Sequence, residues 1–177
     1  YGYGRRTFRF EEEFMPDTIT KDRTTQRSTI KVYVLRTEKT VKQLRQLDLA
    51  QQREGKNDEN EGDENLFGIT LDALEKYGHP FNKPCYVASL ILDSHWDKKQ
   101  NAILAHTALG GGAGFRRLGI FGSHLVHGWP ATLEELPGAL LDQTPNDTNF
   151  TANDCNEIEA EYKAFCIGSG AFLHEVG

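Results

Sequence analysis

His174 and Glu175 are the residues of this 177-residue chain whose types and neighbours best suit chemistry. They stand in Gly168-Ser-Gly-Ala-Phe-Leu-His-Glu-Val-Gly177 and open the pattern His-Glu-x-x-His, whose second histidine would fall one residue past Gly177. Residues four apart on a helix share a face. Two imidazoles in that pattern can therefore grip one Zn²⁺ while the glutamate beside the first acts as general base. A helical wheel agrees. Ile167, Gly170 and Ala171 fall near the face of His174, and small residues one turn below leave room for a sheet, a metal or a substrate. Phe172, Leu173 and Val176 point the other way, as a core-facing stripe would. The same letters also fit a surface pair closing an ordinary helix, so the remaining stretches carry the decision.

Other chemically capable residues read as structural. Asp93, His95 and Asp97 alternate and would share a strand face, where a hydrogen-bond network at a strand end is a simpler account than a metal site. His124 and His127, three apart, would face opposite sides of a strand, which argues against a joint metal site. His106 sits in an apolar strand pattern and reads as a buried, hydrogen-bonded histidine rather than a ligand. His79 precedes Pro80 in a loop and carries no case. The run Leu109-Gly-Gly-Gly-Ala-Gly114 lacks the Gly-Lys-Ser/Thr of a phosphate loop and reads as a turn where the backbone must bend or be approached closely. Ser123 and Ser169 lack the Gly-x-Ser-x-Gly context of a nucleophile elbow. Asp58, Glu61 and Asp63 fit no EF-hand spacing.

The elements that must position these residues follow from periodicity. Phe8, Phe10 and Phe14 alternate along a charged strand that Pro16 should end. In Thr29–Arg36, Ile30, Val32 and Val34 would line one strand face. Thr40–Ala50 fits a short helix, and residues 53–65 carry no apolar side chain and read as a flexible acidic insertion. Leu66–Tyr77 is helical, with Asn65 or Thr70 as cap and Gly78 and Pro80 as stops. Cys85–Leu92 is apolar enough for a strand buried on both faces. Strands follow around 101–109 and 116–127. Thr132–Leu141 is a short helix with Thr132 and Glu135 as a capping box, disturbed by Pro137. The histidine-bearing helix comes last, and its final turn should be poorly ordered, because it has no cap.

Composition narrows the field. A net charge of −6 and a pI near 5.5 disfavour nucleic acid and anionic membranes as partners. No apolar run approaches the roughly 18 residues of a membrane span. Cys85, Cys155 and Cys166 are too few for a disulfide scaffold and favour a reducing, cytoplasmic setting. Asn146-Asp-Thr148 and Asn149-Phe-Thr151 are glycosylation acceptors that pull toward secretion. Oligomeric state is left open. Starting on Tyr1 and stopping inside a helical pattern, the chain reads as an internal piece of a longer protein.

Taken together the stretches resemble one family, the zincin-like zinc metallopeptidases of fungi and animals, which often carry a jacalin-like lectin domain further on. The resemblance rests on Arg6–Glu13, Tyr86–Asp97, His106–Gly112, Phe121–His124 with Trp129-Pro130, Ala152–Glu157 and Ile167–Gly177, in order along the chain. It implies an α/β (α+β) zincin-like fold: a mixed twisted sheet, helices on one side, and an active-site helix beneath a cleft. Residues 1–177 would be the N-terminal part of one catalytic domain. It implies His174 as a zinc ligand, Glu175 as catalytic base, and His106–Gly112 as an edge strand and bulge beside which an extended peptide or protein substrate pairs. The family's second and third zinc ligands have no match here. By themselves these residues are therefore expected to hold no tight zinc and to cleave nothing. A different class of reading, an inactive relative serving as an interaction module, would be favoured if the longer protein lacks the next histidine.

Overall fold

Short apolar alternations broken by glycine and proline lay out the strands. The computed structural model describes residues 12–16, 25–29, 32–50, 65–152, 154 and 158–177. Glu12–Pro16 (β1) pairs antiparallel with Thr25–Thr29 (β2), Glu12 opposite Thr29 and Pro16 opposite Thr25. Proline ends β1 as expected of a residue without an N–H. Phe8, Phe10, Ile30 and most of the 53–65 insertion fall outside the described residues.

Val32–Arg36 alternates as expected but turns its other face inward. Val34 is 72% exposed, while Tyr33 and Leu35 pack with Leu74 and Phe81. The Tyr33 ring meets Tyr77 and Phe81 edge-on at 5.8 and 5.1 Å. An aromatic ring buries more area than a valine and gains from that edge-to-face geometry, so it takes the inner position. The segment joins no strand ladder among the described residues.

The helix expected over Thr40–Ala50 is a single turn, Val41–Leu44 (α1), followed by a 3₁₀ turn at Leu47–Leu49. Thr40 and Gln43 form a full capping box, with Gln43 N–H donating to Thr40 Oγ1 at 3.2 Å and Thr40 N–H to Gln43 Oε1 at 2.9 Å. Leu66–Tyr77 (α2) has the expected span. Asn65 Oδ1 accepts the Gly68 N–H, and Gly78, at φ 78°, takes the left-handed step out of the helix.

Next come Cys85–Ile91 (β3), His95–Asp97 (β4), Ala102–Leu104 (β5), Leu109–Ala113 (β6) and Arg116–Gly122 (β7). The central sheet runs β3-β7-β6, with β3 parallel and β6 antiparallel to β7, so it is small and mixed. The pair β4–β5 is antiparallel. β3 is not buried on both faces as expected, since Tyr86 is 83% exposed at the sheet margin. The glycines of 110–112 do not make a turn; they are the body of β6.

Alternation along β7 divides the molecule. Leu118 and Ile120 join Leu74 and Phe81, with Phe67 and Leu71 of α2 beside them. Gly119 between them faces the other way, against the last helix, Glu161–Val176 (α4). α2 and α4 thus lie on opposite faces of the β6–β7 pair, where helices on one side were expected. Leu136–Leu141 (α3) begins at the residue before Pro137, a position that tolerates proline because the first helical N–H groups have no partner to lose. Glu135 Oε2 accepts the Ala131 N–H at 2.7 Å instead of closing a box on Thr132. The described residues contain four α-helices, none long and apolar enough to cross a membrane.

Candidate active site and a buried histidine cluster

The course of α4 sets the position of His174 and Glu175. Glu161 opens the helix as a buried acid, its Oε2 3.0 Å from His127 Nδ1. Gly168, midway along, lets the helix close on Leu125 and Trp129: a Cβ there would lie 2.8 and 3.0 Å from them. Gly170, the glycine one turn below His174, has nothing within 4 Å of its Cβ position. The close approach that the glycines allow is therefore at 168, not at 170.

The buried stripe of α4 runs through Glu161, Ala164 and Gly168, and helical spacing carries it on toward Ala171 and Glu175. The stripe expected through Phe172, Leu173 and Val176 is corrected in part. Leu173 is 66% exposed, whereas Phe172 stacks at 5.9 Å on Trp129 and Val176 approaches Gly119. His174 is exposed and Glu175 half-buried.

Glu175 rests on a seat made of absent side chains. Gly110 of β6 and Gly119 of β7 are cross-strand partners. A Cβ on Gly110 would come within 2.5 Å of Glu175 O and 3.2 Å of its Oε2; one on Gly119 would come within 2.6 Å of the same carbonyl. The two bare positions let the last helical turn lie on the sheet, which is why it remains helical through Val176 with the Gly177 N–H closing on Leu173 O at 2.9 Å. The turn expected to be poorly ordered is thus helical in the structure. The Glu175 carboxylate consequently lies beside β6, an outer strand of the sheet.

A second group of ionisable side chains lies in the interior, at most 10% exposed. Among the described residues, His106, His124 and Asp154 form the one set of three or more histidine, cysteine and acidic side chains able to close on a metal ion, their ligand atoms all within 4.8 Å of one another. The segment before β6 supplies His106, the turn after β7 supplies His124, and a loop before α4 supplies Asp154. Sequence reasoning set His106 aside as a hydrogen-bonded core histidine, weighed His124 only against His127, and gave Asp154 no role. The signal missed was the return of β6 against β7, which brings 106 and 124 together. His106 is buried as expected, yet its Nδ1 makes no hydrogen bond. Burial, reinforced by neighbouring His124 and opposed by Asp154, pushes its pKa down to about 3, so the imidazole is neutral. His124 and His127 do not share a site, as expected, since they pair separately with Asp154 and Glu161.

The residues 93–97 bear out the plain reading. Asp97 caps the following turn by accepting the Lys99 and Gln100 N–H groups, and Arg45 Nε donates to Asp93 O. A depression of about 760 Å³ lies at the N-terminal end of α4, between His127, Trp129 and Glu161. Neither His174 nor Glu175 lines it.

Comparison with known proteins defines the class. The family model described as "Putative peptidase family" (Metallopep) matches residues 1–177, and the chain belongs to that family. It is 46% identical over 177 residues, 98% of its length, to a protein of Saccharomyces cerevisiae named as a putative zinc metalloproteinase. It is 35% identical over 178 aligned residues, 99% of its length, to a protein of Schizosaccharomyces pombe with the same description. The chain spans about a quarter of the length of these relatives, 24% and 26%. No solved structure matches it.

Proposed function

We propose that this chain contributes to a zinc-dependent endopeptidase site in which His174 is one metal ligand and Glu175 the general base. The relatives' description as zinc metalloproteinases supports the metal and the reaction class. The single observation that carries the residue assignment is the seating of Glu175 on Gly110 and Gly119, beside outer strand β6. An extended peptide adding to that strand would exchange backbone hydrogen bonds with it, and its scissile bond would pass within reach of a carboxylate fixed by the helix.

The residues described fit one corner of a zinc site. His174 presents an exposed imidazole and belongs to no described group of three or more histidine, cysteine and acidic side chains able to close on a metal. Catalytic zinc takes three protein ligands as a rule, so the others belong to the longer protein in this reading. Bound zinc would lower the pKa of its water and polarise the carbonyl. Glu175 would take the proton of the attacking water and hand it to the leaving amine. Gly110 and Gly119 hold the carboxylate's backbone in place, and β6 aligns the peptide.

The test is made on the intact protein. His174→Ala should lower bound zinc by one equivalent, and Glu175→Gln should retain the zinc but reduce peptide hydrolysis by about 10²–10⁴-fold. Unchanged zinc content in His174→Ala would overturn the ligand assignment. Zinc-free wild-type protein would favour the interaction-module alternative.

A further inference from the structure

We propose that His106, His124 and Asp154 form a buried site for a divalent transition metal, separate from His174 and bracing the strand pair on which Glu175 sits. This runs against the expectation, read from the sequence, that these residues hold no tight metal.

Three observations carry it. The first is convergence. Gly122, the last residue of β7, has no Cβ, and the point that a Cβ would occupy lies 2.7 Å from His106 Nδ1, 2.7 Å from His124 Nδ1 and 2.6 Å from Ser94 Oγ. Only a glycine at this position lets both imidazole nitrogens crowd against the end of β7 on the same side. The second is that neither nitrogen is satisfied. Both are buried and neither has a hydrogen-bond partner, although the His106 residue is 3% exposed and the His124 side chain 2%. A buried polar atom left without a partner costs about 1–3 kcal/mol, so two side by side call for an occupant. The third is proton placement. Asp154 Oδ2 lies 3.2 Å from His124 Nε2, and an ionised carboxylate only accepts, so the ring proton belongs on Nε2 and the lone pair on Nδ1. A carboxylate on the far nitrogen is the arrangement that orients a metal-bound histidine and raises its basicity. The ligand atoms of all three side chains lie within 4.8 Å of one another, so the same carboxylate is near enough to complete the site.

The backbone is built for the same purpose. Ala105, wholly buried, adopts φ 50°, a left-handed conformation that costs a non-glycine residue on the order of 1–2 kcal/mol and turns His106 toward the cluster. Ser94 Oγ fastens the three segments, lying 2.8 Å from Ala105 O and 2.9 Å from Ile91 O and accepting the Ser123 N–H at 3.2 Å. Ser94 is thereby occupied as a brace, which leaves the two imidazoles and the carboxylate as donors. Two nitrogens and one oxygen suit zinc and its neighbours in the first transition row rather than calcium or magnesium. Gly119 and Gly122 are three residues apart on β7, about 10 Å along a strand. The ion would thus tie the turn after β7 to the approach to β6, about 10 Å along the strand from the seat of Glu175.

The experiment uses the intact protein carrying His174→Ala, stripped of metal and titrated with Co²⁺ while its visible absorption is followed. One equivalent should bind with the intense bands of a low-coordinate N/O site. His106→Asn or His124→Asn should weaken it at least about 100-fold, and Asp154→Asn about 10–100-fold. Zn²⁺ should raise the unfolding temperature of the His174→Ala protein relative to chelator, a readout independent of how well the histidine variants fold. No Co²⁺ binding, binding insensitive to both histidine changes, or no zinc-dependent rise in unfolding temperature would overturn the proposal; a buried water would then be the occupant. Metal content that His174→Ala leaves unchanged, but that His106→Asn abolishes, would sink the catalytic assignment of His174 and leave this site standing.

Discussion

Replacing Gly119 by alanine tests the fit of the terminal helix against the sheet. The added methyl would stand 2.6 Å from Glu175 O, 2.7 Å from Glu175 C and 2.8 Å from Val176 Cα. All three are backbone atoms, and Gly119 itself lies in the middle strand of the sheet, so no side chain can rotate away. Non-bonded carbons settle near 3.5–4.0 Å, which requires the last turn of α4 to retreat by roughly 1 Å. Overpacking of this kind costs about 1–3 kcal/mol. At about 2–4 °C per kcal/mol for a domain of 150–250 residues, the unfolding midpoint should fall by about 2–12 °C. Gly170→Ala is the matched reference. Nothing lies within 4 Å of its Cβ position, so it should gain about 1 kcal/mol from helix propensity alone. Thermal unfolding of the intact protein reads both signs, and amide exchange over 170–177 should quicken only in Gly119→Ala. A Gly119→Ala protein that unfolds at the wild-type temperature with unchanged exchange there would refute the seating of α4 on bare strand positions.

Two further substitutions probe the elements that hold this arrangement. Asn65→Ala removes the side-chain acceptor of the Gly68 N–H, and denaturant unfolding should show a loss of about 1 kcal/mol from α2. Glu161→Ala removes a carboxylate 3.0 Å from His127 Nδ1, where the two side chains are only 11% and 13% exposed; it should cost roughly 1–3 kcal/mol, most of it recovered in Glu161→Gln, which keeps an acceptor oxygen.

The sequence shows local features well and long-range ones poorly. α2 was legible to the residue because its cap, apolar spacing and stop are all within fourteen positions, Asn65 to Gly78. The capping box at Thr40 was missed although both partners lie three apart, because the longer spacing of Val41, Leu44 and Leu47 suggested a continuous helix. Gly110–Gly112 read as a turn since glycine has no strand preference of its own; only pairing with β7 makes those residues a strand. The His174-Glu175 pair was visible as a motif, but its surroundings were not, because Gly110 and Gly119 are far from it along the chain. The His106–His124–Asp154 cluster was invisible for the same reason. Each residue taken singly fits a core or surface role, and only the antiparallel return of β6 on β7 and the loop at 154 unite them.

The three glycines of β6 have one more consequence. Strand register is ordinarily specified by which side chains fit which face, and a slip of one residue moves every side chain to the wrong side. Gly110, Gly111 and Gly112 present no side chain to either face, so sliding β6 by one position in the direction that brings Gly111 to Gly119 still sets a glycine opposite it. The middle of the strand is therefore blind to translation. Its alignment must be fixed from the ends, by Leu109 against Ile120 and by Ala113 against Arg116 at the hairpin; the metal site proposed above would add a tether at His106, three residues upstream. This outer strand of the sheet is in effect a slider whose stops lie at its two ends.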